Sequence, residues 1–360
     1  MIPTHGYAAR SAQSPIEPFS FQRREPGPND VVIEIHYCGI CHSDIHQAKN
    51  EWGGSVYPMV PGHEIVGQVI RVGKKVKQFH AGDFAGVGCF VKSCGRCPPC
   101  QQDLEQYCEK HCTMTYNGFE EDGKTLAQGG YSSLIVVHED YVLKISKKAP
   151  LAQVAPLLCA VITTYSPLKR FGVKKGSQVG VVGLGGLGHM GVQIAAALGA
   201  QVTVFSTSTE KEKDARRLGA QHFLLSSKLT DSKSPLAQQW EGRFDLILDT
   251  VSAPHDLSVY FNLLKPYGTL VLVGAPTEAF QVSAFSLIGG HKQLAGSLIG
   301  GIRETQEMLD FCFRKKIFAQ VEVITPREIN TAYERTIQGQ VKYRFVIDLK
   351  ADQLNASEAL

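Results

Sequence analysis

The chain has 360 residues, 43% of them hydrophobic and 20% charged, with 37 basic against 34 acidic side chains and a formal net charge of +3. That length exceeds the usual single domain, so two domains around separate cores are expected. The near-balanced charge, with Lys74, Lys75 and Lys77 read as a solvated loop, excludes the dense basic surface of a nucleic-acid binder, and no run of about 18 apolar residues offers a membrane span.

The N-terminal MIPTHGYAARSAQ lacks the apolar core of a signal peptide. Residues 1 to about 20 read as a polar, irregular start. Strands are predicted over 31–37, 65–72 and 82–87, each set off by Gly, Pro or Asp turns, and again over 132–137 and 141–145. Short strands in this pattern describe a barrel-like β domain. From Pro150 the texture changes: helical segments over 151–158 and 160–168 lead into strand–helix alternation, with strands at 179–182, 201–205, 221–225, 244–250 and 269–274. That alternation predicts a parallel sheet covered on both faces. A helix over 303–315 and a strand over 344–347 return to the first domain, and the tail beyond Leu349 is expected to fray. The expected boundaries are 1–151, an inserted domain 152–300, and 301–360.

The insertion is organised around VGVVGLGGLGHMGVQIAAALG at 179–199. An apolar strand runs into Gly183, Gly185, Gly186, Leu187 and Gly188, and a helix follows. This is the turn that closes backbone amides around a pyrophosphate. An NAD enzyme usually ends its second strand with a carboxylate for the ribose hydroxyls. Here Phe205 is followed by Ser206, Thr207, Ser208, Thr209, Glu210 and Lys211. Hydroxyls and a lysine suit a 2′-phosphate, which points to NADP(H). The same residues also read as an N-capped helix start, and Glu210 points the other way.

Ten cysteines, with no secretory signal, fit metal ligation in a reducing cytoplasm better than disulfides. Cys94, Cys97, Cys100 and Cys108 follow C-x2-C-x2-C-x7-C, which closes tetrahedrally around one structural Zn²⁺; an iron–sulfur cluster shares this ligand chemistry. Cys112 reads as a bystander. Cys41, His63 and a later cysteine would make the Cys₂His set of a catalytic zinc. Cys159 is the candidate, although LLCAVITTY also reads as core; Cys38 and Cys89 are alternatives, and Cys312 reads as apolar bulk.

Gly39-Ile40-Cys41-His42-Ser43-Asp44, Pro61-Gly62-His63-Glu64-Ile65-Val66-Gly67, the four-cysteine segment, the glycine turn through Gly191 and Val341-Lys342-Tyr343-Arg344-Phe345-Val346-Ile347-Asp348 together resemble the zinc-dependent medium-chain alcohol dehydrogenases. Within these the likeness is to the cinnamyl alcohol dehydrogenase group and its bacterial broad-range NADP-dependent aldehyde reductases. The resemblance implies an α/β protein: a β-rich GroES-like catalytic domain with an inserted Rossmann-type doubly wound nucleotide-binding domain. It places the catalytic zinc on Cys41, His63 and Cys159 and the structural zinc on Cys94, Cys97, Cys100 and Cys108, two Zn²⁺ per chain. Glu64 falls near the metal, Asp44 matches the carboxylate that fixes a ligand ring, and Ser43 and His46 match the proton path. Thr163, Thr250, Val273 and Ser297 join Gly183, Gly185, Gly186, Leu187, Gly188, Ser206, Thr207, Ser208 and Lys211 in the cofactor set.

The implied reaction is reversible hydride transfer between NADPH and an aldehyde. Trp52, Leu104, Tyr107 and Ile299 are the candidate pocket residues, and a mostly apolar pocket predicts broad aliphatic and aromatic acceptance. The resemblance further implies a cytoplasmic homodimer, for which 268–276 and 282–287 are the segments offered. An NAD-dependent or secondary-alcohol enzyme of the same fold is the alternative. Zinc-free quinone reductases and non-enzymatic relatives are disfavoured, because a ligand candidate stands at every expected position.

Overall fold

The computed structural model describes residues 1–120 and 122–351. By its contacts the chain divides into two compact units, one of Met1–Ile162 with the residues from Gly300 onward, the other of Thr163–Ile299. Segment 151–162 thus packs with the first unit. The tail expected to fray lies, beyond Ala351, outside the described residues.

The first unit is built on a seven-stranded sheet. Asp30–Gly39 is its centre, nearly all buried, and Leu134–His138, Ile65–Val72 and Arg344–Asp348 all pair with it antiparallel. Phe84–Val87 and Leu143–Lys144 extend the sheet beyond Ile65–Val72, while Val321–Ile324 pairs parallel with Arg344–Asp348. Register decides what meets at the end of the central strand. Cys38 faces Ile65 on one side and Ile347 on the other. The residues just past one strand and just before the next are therefore neighbours: Gly39 N–H donates to the Glu64 carbonyl at 3.0 Å and Ile40 N–H to that of Phe345 at 2.9 Å.

The opening residues correct the sequence reading. Ile2–Ala9 and Ile16–Arg23 form an antiparallel pair, not an irregular start, and Gly6 bridges to Ser132. Their polar composition hid them, because strand structure here comes from cross-strand pairing and not from a continuous apolar run.

In the second unit six strands lie in the order His222–Leu225, Gln201–Ser206, Gln178–Val182, Phe244–Asp249, Leu264–Leu272, Gln293–Gly296, every pairing parallel. Strand order reverses between Gln178–Val182 and Phe244–Asp249, which is where such sheets bind nucleotides. Val179, Val181, Val202, Val204, Ile247 and Leu248 are fully buried, the reason these strands read as unbroken apolar runs. Phe205, Phe244, Tyr260 and Phe261 fill one core cluster. The segment 268–276, offered for dimer pairing, begins inside this sheet with Leu270 and Val271 at 0% exposure.

Among the described residues no single helix is long and apolar enough to cross a membrane. The bent pair Leu151–Leu158 and Ala160–Arg170 is apolar enough by composition, yet Val154, Leu157, Leu158, Val161 and Ile162 are buried in the protein.

Candidate active site

Cys41, His63, Glu64 and Cys159, all buried, bring one ligand atom each to within 4.8 Å of one another. Cys41 ends the turn after the central strand and precedes the helix His42–Ala48; His63 and Glu64 precede strand Ile65–Val72; Cys159 follows the 3₁₀ turn Ala155–Leu158. The two sulfurs stand 3.8 Å apart across 118 residues of chain. Tetrahedral zinc at the usual Zn–S length of about 2.3 Å sets neighbouring sulfurs about 3.8 Å apart, so the pair fits the metal.

The imidazole is held from behind. His63 Nδ1 lies 3.2 Å from Asp44 Oδ1, and the Asp44 side chain is completely buried. Asp44 also accepts from Cys41 N–H at 2.8 Å, Gly62 N–H at 3.1 Å and the Tyr131 hydroxyl at 3.2 Å. With Nδ1 committed to the carboxylate, Nε2 is the nitrogen left for a metal, as zinc-bound histidines require. The Tyr116 ring stacks on His63 with centroids 5.7 Å apart.

Glu64 is paired with Arg344, both side chains buried. Burial pushes the Glu64 carboxyl up to about 7, against the downward pull of Arg344. Its second oxygen has no hydrogen bond among the described residues and points toward Gly39, where a Cβ would collide with it. Ser43 Oγ lies 3.6 Å from Cys41 Sγ. On the same helix His46 Nδ1 is bonded to Glu51, its ring stacks on Trp52 at 4.7 Å, and its buried Nε2 has no hydrogen bond among the described residues.

Cys94, Cys97, Cys100 and Cys108 form the other group able to hold a metal. Their sulfurs approach at 3.9 Å (Cys94 to Cys100), 3.4 Å (Cys97 to Cys100) and 3.8 Å (Cys97 to Cys108), again near tetrahedral edges. Burial pushes the Cys100 thiol up to about 12. Burial also opposes the Cys108 thiolate, but amides at Cys94, Lys110 and His111 outweigh it and bring that thiol down to about 6. Ser93 Oγ lies 3.3 Å from Cys100 Sγ and is itself tied to the Tyr141 hydroxyl at 2.9 Å. Among the alternatives, Cys38 and Cys89 belong to neither group; Cys89 Sγ faces the Leu158 carbonyl at 3.8 Å. Cys312 is fully buried.

The nucleotide edge belongs to the second unit. Gly183 has φ +85, and a Cβ on Gly188 would fall onto the Gly183 carbonyl oxygen, so both positions need glycine. Nothing lies within 4 Å of where a Gly185 Cβ would be, leaving backbone accessible ahead of the helix Gly188–Ala197. Ser206 ends its strand buried, and its Oγ accepts from Ser208 N–H at 3.2 Å. Thr207 and Glu210 are exposed, Ser208 and Lys211 half-buried. Thr250, Val273 and Ser297 follow the carboxyl ends of three successive strands. Thr163 is buried in the helix Ala160–Arg170.

Residues 27–147 match the alcohol dehydrogenase GroES-like domain and residues 186–314 the zinc-binding dehydrogenase family. The chain is 54% identical to the aldehyde reductase YahK of Escherichia coli over 344 residues, 94% of this chain and 96% of that protein. It superposes on a cinnamyl alcohol dehydrogenase, SbCAD4, from Sorghum bicolor with TM-score 0.91 at 43% identity, covering 96% of this chain and 97% of that one. It also superposes on CAD from Helicobacter pylori, solved with NADP(H), with TM-score 0.90 at 45% identity, covering 97% and 99%. The chain belongs to the zinc-dependent medium-chain alcohol dehydrogenases. The dehydrogenase catalyses zinc-dependent, NAD(P)-linked hydride transfer between alcohol and aldehyde.

Three residues of this dehydrogenase escaped the sequence reading. Arg344 pairs with Glu64 across 280 residues, and a lone charge opening the apolar strand Arg344–Asp348 was the available signal. Tyr116 and Tyr131 flank His63 and Asp44, and isolated aromatics in loops carry no such mark.

Proposed function

We propose that the dehydrogenase reduces aldehydes to primary alcohols with NADPH over a broad aliphatic and aromatic range. The observation that carries this is the Cys41, His63 and Cys159 cluster, whose histidine is fixed by Asp44, with Arg344 competing for Glu64. Three committed protein ligands leave a position for a substrate oxygen, whereas the four-cysteine group closes on itself and is structural. Zinc at the first cluster supplies Lewis-acid polarisation of a carbonyl, and NADPH supplies the hydride.

Ser43 Oγ donates the proton that the product oxygen needs, and His46 refills it, with Glu51 holding the opposite ring nitrogen. Gly183, Gly185, Gly186, Leu187 and Gly188 hold the pyrophosphate, while Ser206, Thr207, Ser208 and Lys211 hold a 2′-phosphate where no buried carboxylate would repel it. Thr163, Thr250, Val273 and Ser297 complete the nucleotide site.

The homodimer reading is supported by apolar side chains left exposed along one edge of the second unit: Phe285 at 82%, Ile288 at 71% and Leu298 at 51% exposure, beside the edge strand Gln293–Gly296. Ten free cysteines, six of them in the two ligand groups, suit a reducing cytoplasm.

Steady-state rates over an aldehyde panel with NADPH and NADH, alongside zinc content, test the whole reading. The expected result is two zincs per chain and preference for NADPH. An active preparation holding zinc only in the four-cysteine group, or one that favours NADH, sinks it.

A further inference from the structure

A buried aspartate and a half-buried histidine pair at the carboxyl edge of the nucleotide-binding sheet. Asp249, the last residue of strand Phe244–Asp249, is 1% exposed, and its Oδ2 lies 2.9 Å from His255 Nε2. The contact is an ion pair, and neither atom has a hydrogen-bond partner among the described residues. His255 Nδ1 lies 2.9 Å from the Ala253 carbonyl oxygen. Both ring nitrogens thus face oxygens that only accept. A neutral imidazole has one N–H and would aim its lone pair at the other oxygen, so only the doubly protonated ring satisfies both.

The ring sits among the edges of Tyr260 (6.0 Å) and Phe280 (5.2 Å). The titratable groups that face it are Asp249 from the strand, Asp256 from its own loop and the Tyr260 hydroxyl from the helix Ser258–Leu263. Burial alone would lower the imidazole's proton affinity; the Asp249 bond, the Ala253 carbonyl and the charges of Asp249 and Asp256 outweigh it and raise it.

The pair clamps a loop that lies against the glycine turn. Asp249 Oδ1 accepts from Val251 N–H at 3.0 Å, and its carbonyl accepts from Val273 and Gly274 N–H at 2.9 and 3.1 Å. Thr250 Oγ1 donates to the Val182 carbonyl at 2.7 Å. A Cβ on Gly183 would come within 2.9 Å of Val251 and 3.1 Å of Thr250, so these residues form the floor on which the turn rests.

We infer that His255 and Asp249 are positioning residues, a protonated clasp that holds Thr250 and Val251 beneath the glycine turn, so that nucleotide affinity falls when His255 loses its proton. This rests on the assignment of Thr250 and the turn to the cofactor. With a folded-state proton affinity above the ordinary value, the clasp is complete below about pH 6.5 and is lost as pH rises through the raised value.

The test is the Kd of NADPH for the zinc-loaded enzyme by fluorescence between about pH 6 and 9, for wild type, His255→Gln and Thr250→Ala. The wild type is expected to weaken by roughly tenfold, equivalent to about 1.4 kcal/mol, relative to His255→Gln, which has no proton to lose and only shares the titration of the 2′-phosphate. Parallel profiles for the two proteins overturn the inference. So does an assigned His255 imidazole resonance that titrates in the wild type at about 6.5, a reading that needs no variant. Thr250→Ala separates the two claims: unaltered NADPH binding in that variant overturns the cofactor assignment, whatever the pH profiles say of the clasp.

Discussion

Replacing Asp44 with asparagine keeps the side chain's shape and removes its charge. Oδ1 receives Gly62 N–H and faces His63 Nδ1, while Oδ2 receives Cys41 N–H and the Tyr131 hydroxyl. An asparagine can present a carbonyl oxygen to only one of these sides. On the other its NH₂ meets a backbone N–H, and at least one buried donor is left against another donor, at a cost of about 1–3 kcal/mol of fold stability. Tyr131 can turn its hydroxyl; the backbone amides of Cys41 and Gly62 cannot. The His63 ring also loses its carboxylate, and carboxylate partners of zinc-bound histidines are worth roughly 10–100-fold in metal affinity. Asp44→Asn should therefore lose zinc from the Cys41 cluster at a chelator concentration about 10–100-fold lower than the wild type requires. Zinc in the four-cysteine group serves as the internal control for folding, and the assay is metal content per chain after dialysis against graded chelator. If the Cys41 cluster gives up its zinc at the same chelator concentration in the wild type and in Asp44→Asn, the carboxylate does not govern how His63 holds the metal.

Three further outcomes are expected. Arg344→Met strands Glu64 in the interior without a partner and should cost about 3–5 kcal/mol of stability in urea unfolding; a loss under about 1 kcal/mol would mean the pair contributes no more than a surface ion pair. Cys100→Ala should bring zinc from two per chain to one and expose the 94–108 segment to proteolysis while the Cys41 cluster keeps its metal; retention of two zincs would refute the closed-site reading. Gly188→Ala drives a methyl group into the Gly183 carbonyl, with about 1–3 kcal/mol of strain, and should weaken NADPH binding on the order of tenfold or more in a fluorescence titration without altering zinc content.

What was legible in the chain alone was whatever is encoded by spacing. Cys94 to Cys108 and Gly183 to Gly188 each complete a site within a few residues, so geometry follows from local chain reach and residue type. Strands of the second unit were readable because burial on both faces writes continuous apolar runs. The hairpin of Ile2–Ala9 and Ile16–Arg23 was not, since its strands are defined by each other.

The tertiary structure decided everything that depends on register. Sequence offered Cys38, Cys89 and Cys159 as partners for Cys41 and His63; the alignment of Cys38 with both Ile65 and Ile347 sets Cys41, His63 and Arg344 at one sheet end, and the turn at Leu158 delivers Cys159 there. Asp44 was expected beside a ligand ring, but its service to four groups at once, and the clasp of Asp249 on His255, exist only in the folded chain. Contacts such as Gly62 to Asp44 and Arg344 to Glu64, 18 and 280 positions apart, carry no spacing signal; they are set by how the strands these residues flank are paired, and a single-residue slip of strand Arg344–Asp348 would turn Arg344 to the opposite face.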